Sequence, residues 1–303
     1  MKCNMNSNFE KLKSRVFDSV LQSDLEMINH TLSSIREATF VTGSGGSFVV
    51  STFLSKVLRK KNNIICESIS PRDLIHRDTR CFSNVIACSY SGNNFGVETS
   101  FQNDLEKYLL SGNKREDVTN IHYKVSDYED SFISLAATLI PMTILLLYYS
   151  NDIRLVENIL SLPLEEEIRD CDIYEILSGY DSSVAATFIE STMVESGIGI
   201  PIVHDKYDFC HGRSTLGDSY STTSILFDCK NDLDRLYQKE LESYYGNITT
   251  ITKKFDDDII NDYYFTFMSM LLCKEIAKKK EKDLSDVKYS PLVKKFYYYK
   301  GEM

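Results

Sequence analysis

The sequence predicts an α/β fold of two tandem doubly wound units, each a mainly parallel sheet flanked by helices. Three observations carry that expectation. Short β-type runs alternate with helical stretches through the first half of the chain. The same alternation starts again after residue 150. Two strand-to-helix junctions in the first half are rich in serine and glycine: Thr39-Phe-Val-Thr-Gly-Ser-Gly-Gly-Ser47 and Val85-Ile-Ala-Cys-Ser-Tyr-Ser-Gly-Asn-Asn94. Sheets of this class bind ligands at the carboxyl ends of their strands, where both junctions fall.

Taken in order, residues 9–32 space Leu12, Val16, Val20, Leu21, Leu25 and Ile28 at helical intervals and predict one N-terminal helical stretch. Strands are expected over residues 38–42, 63–69, 84–89 and 120–125, with helices over 47–60, 71–77 and 94–110. Residues 133–149 form a long uncharged run that invites a membrane reading. Pro141 interrupts it, Ser134, Thr138 and Thr143 dilute it, and charged segments flank it, so a buried core helix is expected. A helix over 151–160 follows, then a boundary at Pro163 and the acidic run Glu165-Glu-Glu167. The second half predicts strands at 173–178, 200–204, 224–227 and 247–251, and helices at 184–195, 232–242 and 262–279. Asn231 suits the N-cap of the helix that begins at 232. The lysines of residues 278–282 are expected to solvate a helix end. The domains expected are a helix at 1–34 and two units at 35–150 and 151–303.

Composition narrows the function. At 303 residues and 43 % apolar content the chain can bury a large core. A net charge of −10 disfavours nucleic acid as the main partner, because that binding needs a basic surface. The eight cysteines form no Cys-x-x-Cys pair, and several lie in apolar runs. Reduced, buried thiols and a cytoplasmic location are expected, without a structural zinc. The first residues lack the apolar stretch of a signal peptide.

The serine- and glycine-rich junctions suit an anion held without lysines. Backbone N–H groups at a helix start carry partial positive charge, hydroxyls add donors, and glycine lets the backbone come close. Nothing in these loops suggests base stacking or ribose binding, so the expected guest is a phosphorylated small molecule, a sugar phosphate first. Ser89 and Ser91 also suit a plainer role as helix caps.

A doubled α/β unit carrying Ser89-Tyr-Ser-Gly-Asn-Asn94 and Gly43-Ser-Gly-Gly-Ser47 resembles the sugar isomerase (SIS) superfamily. The likeness is to the isomerase part of glucosamine-6-phosphate synthase and to fructosamine-phosphate deglycases, over about residues 35–300. The second half adds Glu195 at a helix end and His211 of His211-Gly-Arg213, 16 residues later, as in the family's Glu and His-Gly-Pro elements. The resemblance implies phosphate contacts from Gly43, Ser44, Gly45, Ser47, Ser89, Tyr90, Ser91 and Asn94. It implies Glu195 as the group that moves a proton between C1 and C2, and His211 as the proton shuttle for ring opening. Partial burial of Glu195 is expected to tune it. Lys294, with Lys295 as the near alternative, corresponds to the lysine of the family's closing tail.

The sequence also departs from the pattern. Asn94 replaces a threonine, Arg213 a proline, and Thr192 a lysine tied to nitrogen chemistry in the synthase. Amination is therefore disfavoured, and no glutaminase domain is expected. The activity implied is sugar-phosphate isomerisation or fructosamine-phosphate deglycation in a homodimer, without metal or organic cofactor. The alternative is a catalytically silent sugar-phosphate sensor; a DNA-binding form is disfavoured, since one helical stretch is all that fits before residue 35.

Overall fold

The structure is a computed structural model and describes residues 5–129, 133 and 135–285. Lys294 and Lys295 lie outside the described residues. The chain divides into two compact units, the first built on residues up to Ser150 and the second on Asn151–Leu284.

The first unit opens with two helices, α1 (Met5–Gln22) and α2 (Leu25–Ser34). One continuous helical stretch was the expectation. Asp24 breaks it, because its carboxylate accepts from the Met27 N–H and starts a new helix. Next come β1 (Thr39–Thr42), α3 (Gly46–Asn62), β2 (Cys66–Ile69), the one-turn α4 (Pro71–Leu74) and β3 (Asn84–Cys88). They are followed by α5 (Phe95–Ser100), β4 (Glu106–Ser111), β5 (Thr119–His122) and α6 (Leu135–Ser150). All five strands are parallel, in the order β2-β1-β3-β4-β5. Every residue of β1 and β3 is buried, as strands covered on both faces require.

The helix expected over residues 94–110 is two elements instead. The Asn103 amide donates to the Ser100 carbonyl, and its oxygen accepts from the Leu105 N–H. That closes a turn where the helix would have continued. Tyr108 to Ser111 then pair beside β3 as a buried strand. Strand β2 begins three residues later than expected because Asn63 takes a left-handed conformation at the end of α3.

Helix α6 is buried along nearly its whole length, against α1, α2 and α3. Each fully buried Leu or Ile there is worth about 2 kcal/mol, enough to make this helix the centre of the unit's core. The carboxylate of Glu129 caps its start, accepting from the Ala136 N–H at 2.7 Å. No described helix is long and apolar enough to cross a membrane.

The second unit runs α7 (Ile153–Ile159), β6 (Ile173–Ser178), a 3₁₀ turn (Tyr180–Ser182), α8 (Ser183–Ser196) and β7 (Ile200–Asp205). After α9 (Lys206–Asp208) come a π-helical segment (Phe209–Arg213), α10 (Thr215–Ser219), β8 (Thr222–Asp228), α11 (Asp232–Tyr245), β9 (Ile248–Thr252) and α12 (Asp258–Lys279). Its four strands are parallel in the order β7-β6-β8-β9. Asn231 caps α11 as expected, accepting from the Asp234 N–H. The lysines at the end of α12 and just beyond it do more than solvate that end. Lys280 pairs with Asp172 at 3.0 Å and Asp170 at 3.3 Å, Lys279 donates to the Ile168 carbonyl, and Lys282 donates to that of Gly197.

Candidate functional site

In the first unit the chain leaves β1 toward β2 on one side, then crosses back to β3 on the other. The strand order therefore reverses between β1 and β3, which pair directly with Thr42 opposite Ala87. A crevice opens at the strand tips wherever such a reversal occurs. Both serine- and glycine-rich loops stand there, because one follows β1 and the other follows β3.

Physical constraints shape the first loop. A Cβ on Gly43 would fall 2.2 Å from the backbone oxygen of Ser47, so only glycine lets the turn close. Gly45 has φ of 55° and ψ of −132°, and it stands at the N-cap of the 17-residue α3 without a side chain to cap it. A helix start left bare in this way accommodates an anion. Ser44 and Gly45 are exposed, and Ser47 is half-buried.

The second loop is held from within. Ser89 is buried, and its Oγ accepts from the Gly92 N–H at 3.1 Å and from Asn94 Nδ2 at 3.2 Å. Asn94 Oδ1 in turn caps α5 through the Val97 N–H at 3.0 Å. The tip of β4 braces the loop's other side: Asn113 Nδ2 donates to the Ser91 carbonyl at 3.0 Å, and the Gly112 N–H donates to that of Tyr90. The plainer cap reading thus belongs to Asn94, while the Ser91 residue is exposed.

The two loops meet. A Cβ built on Gly96 would stand 3.1 Å from Ser44 Oγ and 3.3 Å from Asn94 Oδ1. Gly43, Ser44 and Asn94 line one narrow crevice with Thr42, Pro71 and Gly96, and none of these carries a charge. Tyr90 contributes differently from the other loop residues. Its ring packs edge-on against Tyr128, with centroids 5.5 Å apart. Its hydroxyl is buried without a hydrogen-bond partner among the described residues, and burial pushes its pKa up. Only its backbone is left to face a ligand.

Glu195 and His211 belong to the second unit. Glu195 is the penultimate residue of α8 and is exposed; Ser191 donates to its Oε1 at 2.6 Å, one turn earlier. The partial burial expected for it is not supplied by its own unit, because it lies on the outward face of α8. Thr192, where the family has a lysine, is buried at 3 % and faces the core. His211 sits in the π-helical segment with φ of −88° and ψ of 38°, and Gly212 beside it has φ of 89°. This bulge leaves His211, Gly212 and Arg213 all exposed. Among the described residues no hydrogen bond or ion pair joins Glu195 to His211.

The second sheet also reverses its strand order, between β6 and β8, but the tip of β8 is filled differently. Lys206 is buried at 4 %, and its Nζ donates to the Phe227 carbonyl at 2.6 Å and to the Asp234 carboxylate at 2.8 Å. Asp234 also accepts from the Cys229 N–H at 2.7 Å. Burial pushes the Cys229 thiol up, with Asp181 adding to the effect. An internal carboxylate thus stands at the start of α11. Sequence reasoning missed this pair and a second buried one, Glu175 with His204. Asn231-x-x-Asp234 was a signal for the cap, but nothing local marks Lys206 or Glu175 as interior.

No family model matches the sequence, and no curated protein matches it. Solved structures do. The chain is similar to the C-terminal domain of glucosamine-fructose-6-phosphate aminotransferase from Francisella tularensis, with a TM-score of 0.74 at 13 % identity over 94 % of this chain and 98 % of that one. It is similar to tagatose-6-phosphate ketose/aldose isomerase from Escherichia coli, with a TM-score of 0.75 at 11 % identity over 94 % and 95 %. Glucosamine-6-phosphate deaminase from Thermotoga maritima matches with a TM-score of 0.64 at 14 % identity over 91 % and 96 %. This likeness establishes the fold: the chain folds as the sugar isomerase proteins do, as its motifs implied.

Proposed function

We propose that this chain, with its sugar isomerase fold, binds a phosphorylated sugar and catalyses aldose–ketose isomerisation or fructosamine-phosphate deglycation. One observation carries the reading. Two uncharged loops of hydroxyls, amides and glycine backbone converge at the tips of β1 and β3, where the strand order reverses. Ser44, Ser47, Ser89, Ser91 and Asn94, with the backbone of Gly43, Gly45 and Tyr90, hold the phosphate. Anchoring that end holds the sugar carbonyl in register for chemistry.

Glu195 takes the proton from the carbon next to the carbonyl and returns it to the former carbonyl carbon, so that it moves between C1 and C2 through an enediol. His211 gives a proton to the ring oxygen as the ring opens, and Lys294 or Lys295 assists at the carbonyl. With a fructosamine phosphate the same proton transfer, through an enaminol, gives an imine at C1, which water hydrolyses to the aldose phosphate and the free amine. The names of the similar structures, which act on hexose phosphates and amino-sugar phosphates, support this substrate class. The working assembly is a homodimer.

A thermal-shift series with inorganic phosphate, fructose 6-phosphate and fructosamine 6-phosphate tests binding, since a ligand of the folded state raises apparent stability. A sugar phosphate is expected to raise Tm, and Ser44→Ala with Ser89→Ala to abolish the rise. No rise with any of them would end the reading. Glu195→Gln is expected to keep the Tm rise and lose turnover. A parent that binds these sugars and turns over none would be the silent sensor instead.

A further inference from the structure

We propose that the buried Glu175–His204 pair sets the position of the His211 turn, which makes both of them positioning residues. The inference rests on the reading of His211 given above. Glu175 of β6 is 0 % exposed and His204 of β7 is 3 % exposed, and Oε1 of the one lies 3.6 Å from Nε2 of the other. Register places them on one face of the sheet: Ile202 is opposite Glu175, and Leu177 is opposite His204. Thr222 of β8 donates to Glu175 Oε2 at 3.1 Å. Among the described residues neither Glu175 Oε1 nor either His204 nitrogen has a hydrogen-bond partner, and Oε1 and Nε2 face each other at 3.6 Å.

Stability does not explain the pair. Two buried ionisable groups, one of them against Phe209 of the apolar cluster of Leu177, Phe209, Leu226 and Tyr237, are no better for the fold than a hydrophobic pair of the same shape. What they touch explains more. The His204 ring meets Phe209 edge-on, with centroids 5.3 Å apart and planes at 62°. Phe209 meets Tyr237 of α11 in the same way, at 5.7 Å and 74°. Cys210 Sγ lies 2.7 Å from the Tyr237 hydroxyl, which itself donates to the Lys206 carbonyl.

Phe209 is therefore the inner anchor of the π-helical segment, Cys210 ties its exposed edge to Tyr237, and His211 follows them directly. Beyond them His211 and Gly212 leave helical geometry and are exposed. Glu175 Oε1 faces the His204 ring from 3.6 Å, and that ring is one wall of the slot that holds Phe209. Changing the pair shifts the slot, and the shift reaches an imidazole two residues away.

Three variants of the full chain test this: Glu175→Leu, His204→Phe, and the two combined. Each single change leaves one ionisable group buried alone, while the double removes both and restores a ring against Phe209. Hydrogen exchange of residues 206–214 is the primary readout. Exchange is expected to rise in each single variant and return toward the parental rate in the double, with residues 39–47 unchanged in all three. If His204→Phe does not fold, Glu175→Gln, which keeps shape and removes charge, is read in its place. Kinetics with fructose 6-phosphate, or fructosamine 6-phosphate if that is turned over, supply the second readout. The singles are expected to lower kcat about tenfold or more with KM changed less than about twofold, and the double to recover most of the loss.

Unchanged exchange in the singles would overturn the inference, as would a double no better than either single. His211→Ala with unchanged kcat would instead overturn the role of His211. The two failures are distinguishable, because exchange reports the slot whether or not that imidazole moves a proton.

Discussion

The side-chain amide of Asn94 donates to the hydroxyl oxygen of Ser89 at 3.2 Å, so the first and last residues of the loop after β3 hold each other. The same oxygen accepts from the Gly92 N–H, which leaves the Ser89 proton to be donated onward. Ser89→Ala is expected to weaken binding of inorganic phosphate and of sugar phosphates about tenfold, and to cost about 1 kcal/mol of stability. Calorimetric titration and urea melts check the two parts separately.

The turn after β1 leaves no room at Gly43. Because the clash at 2.2 Å is with backbone rather than with a flexible side chain, Gly43→Ala has to open the turn. A loss of about 2 kcal/mol in urea melts is expected, together with loss of phosphate binding. Native stability with intact binding would show that the loop tolerates the methyl group.

Lys206 and Asp234 make a buried pair at the tip of β8. Lys206→Met leaves the carboxylate uncompensated and is expected to cost about 3–5 kcal/mol. Pairing it with Asp234→Leu removes the stranded charge and is expected to recover most of that stability. Chemical denaturation of the two singles and the double decides it.

The buried thiols make alkaline stability measurable. Burial pushes Cys66 and Cys273 up to about 12 from an ordinary value of 9.0, and pushes Cys88 up as well. In the unfolded chain these thiols release their protons first, so above pH 9 the unfolded state binds fewer protons than the folded one. Stability is therefore expected to be flat with respect to these groups below pH 9 and to fall from there toward pH 12. Urea melts across that range check the sign. At pH about 8 a thiol reagent is expected to reach the exposed Cys81 and Cys210 and to spare Cys66, Cys88 and Cys273 until the protein unfolds.

Much of this was legible in the residues. The alternation of strand and helix, the junctions after Thr42 and Cys88, and the Asn231 cap are local patterns, and local patterns survive in a linear sequence. Strand β4 was hidden because Leu105 and Leu109 keep a helical spacing, while the turn that separates it from α5 depends on the one side chain of Asn103. The inward ring of Tyr90 was hidden because its partner, Tyr128, is distant in sequence. No local pattern marks Lys206 or Glu175 as interior, since only tertiary packing supplies the groups that allow them inside. The exposure of Glu195 follows from which face of α8 meets α12, and helical periodicity is too weak in that helix to reveal it.

Among the described residues each sheet is built from strands of its own unit, and every pairing within it is parallel. Parallel pairs need long crossovers, so their closure is slow and leaves strand edges unpaired meanwhile. With β5 ending at His122, a nascent chain has all five strands of the first sheet outside the ribosome before β6 emerges. Synthesis order thus gives the phosphate-loop half a head start, and keeps its open edges from meeting those of the later half during translation.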